Sequence, residues 1–238
     1  VGQVWYNSTD QVFKLYDGVT GSASWATGGN MGTARYSMGG AGTQTAALAF
    51  GGYITNPGGG VSNATEEYNG SSWTAGGNMG NARNGLAGAG TQTAALGFGG
   101  PGGSALTEEY DGSSWTAGGA LGTGRGYLGG CGTQTAALGF GGNSPPPATN
   151  LTEEYNGSSW TAGGTLPQSK KEMAGAGTQT AGLSIGGPNN SVDTTVEEYN
   201  GSSWTSGGSL PGSGQLQQGG WGTQTSAVSA LGQTYTTQ

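Results

Sequence analysis

The chain repeats one segment five times, and that periodicity limits its fold more than any single residue does. Gly-Thr-Gln-Thr begins at Gly42, Gly90, Gly132, Gly177 and Gly222. A second marker runs from a tyrosine to a tryptophan: Tyr16–Trp25, Tyr68–Trp73, Tyr110–Trp115, Tyr155–Trp160 and Tyr199–Trp204. Successive tryptophans are 48, 42, 45 and 44 residues apart. A period of that length signals a repeat architecture, in which each unit is one supersecondary element stacked on its neighbours.

The unit reads as four short strands. Between Arg83 and Gly119 the segments Asn84–Ala89, Thr93–Phe98, Leu106–Tyr110 and Ser114–Ala117 are of strand length and lack helical apolar spacing. Asp111-Gly112 separates the third and fourth, as do Asp17-Gly18, Asn69-Gly70, Asn156-Gly157 and Asn200-Gly201 in the other copies. Asn-Gly and Asp-Gly are strong hairpin signals, because both turn positions accept a positive φ. Gly-Thr-Gln-Thr joins the first and second strands. Four-stranded meanders at this period are propeller blades. The tryptophans of the fourth strands (Trp73, Trp115, Trp160 and Trp204) are expected to pack between blades.

Composition narrows the function. Gly accounts for 55 of 238 residues, but among the seven Trp and ten Tyr one of each recurs in register in every copy, unlike a disordered linker. A net charge of −7 with only six Lys and Arg argues against nucleic-acid binding, which needs clustered cations. No apolar stretch is long enough to span a membrane as a helix. The single Cys131 stands where other copies carry Ala41, Ala89 and Ala176, and reads as a small buried residue.

A strand ending in Gly-Gly, a variable loop, Glu-x-Tyr-(Asp/Asn), a Trp and then a basic residue resembles the kelch motif. Here it runs Phe98-Gly99-Gly100, Glu108-Glu109-Tyr110-Asp111, Trp115, Arg125. The wording Gly-Thr-Gln-Thr-Ala-Ala-Leu with Glu-Glu-Tyr-Asn-Gly-Ser-Ser-Trp is similar to repeats of bacteriophage virion proteins. The opening Gly2-Gln3-Val4-Trp5-Tyr6-Asn7-Ser8-Thr9 resembles segments of phage tail and fibre proteins. The resemblance implies a virion or extracellular setting and a tail, fibre or surface appendage that meets the host.

The ends are out of phase with the blades. Gln11–Tyr16, Asp17-Gly18 and Trp25 match only third and fourth strands, and Leu216–Trp221, Gly222–Thr225 and Ser226–Leu231 match only first and second ones. The expected fold is therefore an all-β, five-bladed β-propeller of four-stranded antiparallel blades. A composite blade from the N- and C-terminal strands closes it and leaves no unpaired edge. The expected domain is 11–238 after a lead-in at 1–10. Its blades are 30–77, 78–119, 120–164 and 165–208, with 209–238 plus 11–29 as the fifth.

In a meander, the 1–2 and 3–4 turns share one face of the disc, and the 2–3 loops and blade-to-blade links share the other. The first face is nearly constant between copies and the second varies. Variation in loops on a rigid scaffold fits recognition, and it also fits drift. Five of the six basic residues lie in the variable links. With two aromatics they make a candidate ligand-binding set for an anionic or sugar ligand: Arg35, Tyr36, Arg83, Arg125, Tyr127, Lys170 and Lys171. Equally, each Arg has a third-strand Glu, such as Glu66 or Glu108, to pair with.

The chain has no His, which removes Ser-His-Asp and Cys-His catalysis and the commonest transition-metal ligand. Adjacent Glu-Glu residues on a strand point to opposite faces, so they read as framework rather than as an acid/base pair. No catalytic residue, metal or cofactor is expected. The expected function is a non-enzymatic binding or adhesion module, with a host surface glycan or protein and neighbouring virion proteins as partners. A purely structural virion protein is the alternative, and a glycan-acting enzyme a distant one.

Overall fold

Each turn of the repeat is fixed by local chemistry. Gly90 opens the 1–2 turn at φ +97°, where a Cβ would lie 2.2 Å from the carbonyl oxygen of Ala94. The Thr91 hydroxyl then accepts the Ala94 N–H at 3.2 Å. In the 3–4 turn, Asp111 Oδ1 accepts the N–H groups of Ser113 and Ser114 at 2.8 Å each, as Asn156 and Asn200 do in their copies. Led by the Ser114 amide, those donors favour the ionised form and hold the Asp111 carboxyl down at about 2.

The computed structural model describes residues 4–7, 12–15, 28–55, 58–144, 147–188, 193–210, 215–216, 219–230 and 233–234. Among them the chain builds four antiparallel, four-stranded blades from continuous runs of sequence. Blade one is Gly39–Thr43, Ala46–Phe50, Thr65–Tyr68 and Trp73–Ala75. Blade two is Ala87–Thr91, Ala94–Phe98, Thr107–Tyr110 and Trp115–Ala117. Blade three is Gly129–Gly132, Ala137–Phe140, Thr152–Tyr155 and Trp160–Ala162. Blade four is Ala174–Thr178, Ala181–Ile185, Thr195–Tyr199 and Trp204–Ser209. The strands expected in blade two are present, each starting one to three residues later than read from the sequence.

The core lies between blades rather than inside them. One cluster joins Leu48 and Phe50 of blade one to Met79, Leu86, Ala95 and Tyr110. A second joins Leu96 and Phe98 to Leu121, Leu128, Tyr155 and Trp160, and a third joins Leu138 and Phe140 to Leu166, Met173, Tyr199 and Trp204.

The junctions repeat their polar bonds as well. Trp115 Nε1 donates to Thr65 Oγ1 of the preceding blade at 2.9 Å, Trp160 to Thr107 and Trp204 to Thr152. The same indoles pack 4.8–4.9 Å from Phe50, Phe98 and Phe140, so these three tryptophans hold the expected place between blades. Tyr110 OH donates to Glu67 at 2.5 Å, and Tyr155 and Tyr199 do the same to Glu109 and Glu154. Gln92 donates to the carbonyls of Ala47 and Tyr68 at 3.0 and 2.6 Å, and Gln134 and Gln179 repeat this one and two blades on.

The propeller has four blades, not five. The terminal strands do form a sheet, Gly219–Thr223, Ser226–Ala230, Val4–Asn7 and Val12–Leu15, but among the described residues it does not close a wheel. Its inner strand lies against blade four, and among the described residues no comparable contact links it to blade one. Gln224 bonds to Gly182 and Tyr199, whereas Gln44 on blade one is exposed and has no partner among the described residues. The third strand of that sheet comes from Val4–Asn7, inside the expected lead-in, rather than from Gln11–Tyr16. Asp17-Gly18 and Trp25 lie outside the described residues.

Among the described residues, two features set this side of blade one apart from an ordinary junction. A Cβ on Gly88 would lie 2.2 Å from the Gly40 carbonyl oxygen, and one on Gly175 2.3 Å from that of Gly130, so successive blades touch backbone to backbone. At Gly40, among the described residues, a Cβ would meet only its own blade, at 3.7 Å. At the other end, the position filled by Ala89, Cys131 and Ala176 (3–6% exposed) carries Trp221, which is 45% exposed. An indole does not fit the gap that takes an alanine at an ordinary junction.

The seam is testable. Gly88→Ala should destabilise the protein by about 1–3 kcal/mol through overpacking, and Gly40→Ala should stay within about 0.5 kcal/mol of wild type. Thermal melts of the two variants check this; an equal loss at Gly40 would mean that a blade covers it.

Candidate functional site

The face of the blade links and 2–3 loops is organised by one clamp per blade. Arg35 Nη2 pairs with Glu66 at 2.9 Å, and its Nη1 donates to the carbonyls of Gly51 and Ala64, the two ends of the 2–3 loop. Arg83 pairs with Glu108 at 2.8 Å and holds Gly99 and Leu106 in the same way. Arg125 pairs with Glu153 and donates to the Gly139 carbonyl. Lys170 pairs with Glu197 and donates to the Thr195 hydroxyl. The loop bases are also closed by backbone bonds, such as Gly51 N–H to Ala64 and Gly99 N–H to Leu106.

These four cations are buried. Burial pulls Arg83 and Arg125 below the ordinary guanidinium value, and the neighbouring carboxylates oppose that fall. The Nε atoms of Arg35, Arg83 and Arg125 are buried without a hydrogen-bond partner. Of the candidate ligand set, Arg35, Arg83, Arg125 and Lys170 therefore lie inside the blades, committed to glutamates. Lys171 is partly exposed and pairs with Glu172 at 3.4 Å.

Next to the clamps, a backbone ladder crosses from blade to blade. Gly85 N–H donates to Ser37 O, Tyr127 N–H to Gly85 O, and Glu172 N–H to Tyr127 O, at 2.6–2.7 Å. All four residues have positive φ, and Ser37, Tyr127 and Glu172 are not glycines. A side chain in this region costs on the order of 1–2 kcal/mol, which the ladder offsets. Tyr127 is half-buried, its ring packed over Gly85.

Tyr36 is 49% exposed and its ring lies 5.4 Å from that of Tyr53. The short strands Arg35–Tyr36 and Tyr53–Ile54 pair antiparallel, with Tyr36 opposite Tyr53. Tyr53 also bridges Val61, which is 45% exposed. Sequence reasoning found Tyr36 but not Tyr53, Val61, Ser37 or Glu172. Only the pairing of a link with a 2–3 loop brings the first three together, and no repeat signal marks it.

The remaining acidic pairs have framework roles. Glu66, Glu108, Glu153 and Glu197 face the clamps, and Glu67, Glu109 and Glu154 take the tyrosine hydroxyls of the next blade. Glu198, the counterpart of the latter in blade four, has a buried Oε1 with no partner. Cys131 is buried, and burial pushes its thiol up to about 12, so it stays protonated at neutral pH. Among the described residues no acidic or Cys cluster is placed to hold a metal, and no helix is long and apolar enough to cross a membrane.

No protein-family model matches the chain, and no curated protein is significantly similar to it.

Arg83→Ala should cost about 3–5 kcal/mol, the usual loss when one partner of a buried pair is removed. Arg83→Lys should recover only part of it, because an ammonium cannot span the carboxylate and both carbonyls with a planar fork. Chemical denaturation of the two variants measures the difference.

Alkaline pH gives a second test. Burial first, then the bonds to Glu67, Glu109 and Glu154, raise the hydroxyls of Tyr110, Tyr155 and Tyr199 to about 12. A raised folded-state value adds stability that is complete below the unfolded value of about 10 and lost as pH rises through the folded one. Stability should fall between pH 10 and 12, and changing all three tyrosines to Phe should flatten that fall. Denaturation midpoints over this range are the measurement.

Proposed function

We propose that this chain is a non-enzymatic binding or adhesion module whose loop face meets a ligand on a host surface. One observation carries the reading: every blade buries a basic–Glu pair beside its 2–3 loop, and in blades one and two the arginine fixes both ends of loops of unlike sequence, while the opposite face repeats the same turns. Rigid presentation of divergent loops is how scaffolds separate recognition from folding. The framework bonds of the paired glutamates support the non-enzymatic part. The kelch-like order of Gly-Gly, Glu-x-Tyr, Trp and Arg and the phage-like wording of the repeats support a virion or extracellular setting. A host surface glycan or protein is the proposed partner.

The test is capture of bacterial cells on beads carrying the chain. Val61→Glu with Leu106→Glu alters exposed apolar side chains of the loop face; Thr93→Lys with Thr135→Lys alters the repeated turns. Loop-face changes should reduce capture at least tenfold and turn changes should not. Loss confined to the turn changes would favour a structural part that docks through its constant face.

A further inference from the structure

Blades one and three build the same small element from different side chains. In blade one, Tyr36 pairs with Tyr53, and Tyr53 bridges Val61. In blade three, Gly126 pairs with Asn143, and Asn143 bridges Ala148. The backbone bonds of the second are complete, Gly126 N–H to Asn143 O at 2.9 Å and the reverse at 2.7 Å. The scaffold therefore makes this element without an aromatic or a branched side chain. The two tyrosines and the valine of blade one are surplus to it, and Tyr36 and Val61 are about half exposed.

Directly opposed residues on paired strands share a face. Tyr36, Tyr53 and Val61 thus form one surface strip, while Arg35, next along the strand, turns inward to its clamp. Met38, 37% exposed, extends the apolar area. Tyrosine gives such a strip a rigid apolar ring and a wet hydroxyl, with few torsions to freeze on binding.

Charge restricts what the strip can hold. The chain has six basic residues and a net charge of −7. Arg35, Arg83, Arg125 and Lys170 are buried in ion pairs, and Lys171 pairs with Glu172. A phosphate, sulfate or carboxylate ligand on this face would meet a negative protein whose five cations there are already paired. A pyranose ring suits the strip instead, since it offers a flat face of C–H groups and a rim of neutral hydroxyls.

We propose that Tyr36, Tyr53 and Val61 form a stacking platform for a neutral glycan chain. This deepens the reading of the loop face as a recognition surface and rests on it.

The test is affinity electrophoresis in gels containing neutral polysaccharides (dextran, mannan, galactan and β-glucan), with dextran sulfate as the anionic comparison. At least one neutral polymer should retard the wild type, to the same extent at 50 and 500 mM salt. Combining Tyr36→Gly, Tyr53→Asn and Val61→Ala gives this element the side chains of its blade-three counterpart. That variant should melt near wild type and lose at least tenfold in retardation. If it melts early, Tyr36→Leu decides, because it keeps apolar bulk and removes the ring; undiminished retardation by Tyr36→Leu overturns the platform. Retardation by dextran sulfate alone, falling with salt, also overturns it. Cell capture that persists in the triple variant, with no neutral polymer bound, defeats the glycan platform and leaves the binding module standing. Absence of both capture and retardation defeats both.

Discussion

The backbone-to-backbone approach of neighbouring blades is the constraint on which the rest of this structure depends. A blade of strands three to six residues long buries little by itself. Its aromatic residues are covered only when the next blade comes close enough to lay a tryptophan over them. That distance requires glycine where first strands meet, as at Gly88 and Gly175. Once the spacing is set, the bonds of Trp to Thr, Tyr to Glu and Gln to two carbonyls follow as a group. The high glycine content is thus a packing requirement and not a sign of flexibility.

The Arg–Glu clamps need a different explanation from stability. Removing two charges from water is costly, and an apolar pair of equal volume often does as well or better. The guanidinium supplies direction that an apolar pair cannot. In Arg35 and Arg83 one nitrogen faces the carboxylate and the other reaches the loop ends, and Nε is left without a partner there and in Arg125. The clamp accepts an unsatisfied donor and a desolvated charge, and in return fixes the geometry of the loop base.

Much of the blade was legible in the sequence because its signals are local. Asn-Gly or Asp-Gly, Gly-Thr-Gln-Thr and the strand lengths each act over a few residues, and the period repeats them. Closure was not legible by the same means. Counting markers treats two half-units as one blade, yet closure needs each half to present the right side chains to a blade far away in sequence. Trp221 in a column of alanine and cysteine was the visible warning, and Gln44 gave none, because its sequence context is that of Gln92, Gln134 and Gln179. The site divides in the same way. The sequence placed the cations on the variable side and left open whether a ligand or a glutamate took them, because the choice depends on burial. Tyr53 carried no periodic signal at all; its meaning lies in standing opposite Tyr36.

Why the loops vary in length and content while their ends stay fixed follows from which atoms the clamps use. Arg35 and Arg83 bind backbone carbonyls at Gly51, Ala64, Gly99 and Leu106, and every residue type has a carbonyl. The loop sequence between those ends is therefore invisible to the clamp. Changes there alter what the face presents without loosening how it is held. Changes at the glutamate or the arginine do the reverse. Fold and surface are thus separated at the level of single atoms, and blades one and three show the result: one backbone element, bearing two tyrosines and a valine in one case and glycine, asparagine and alanine in the other.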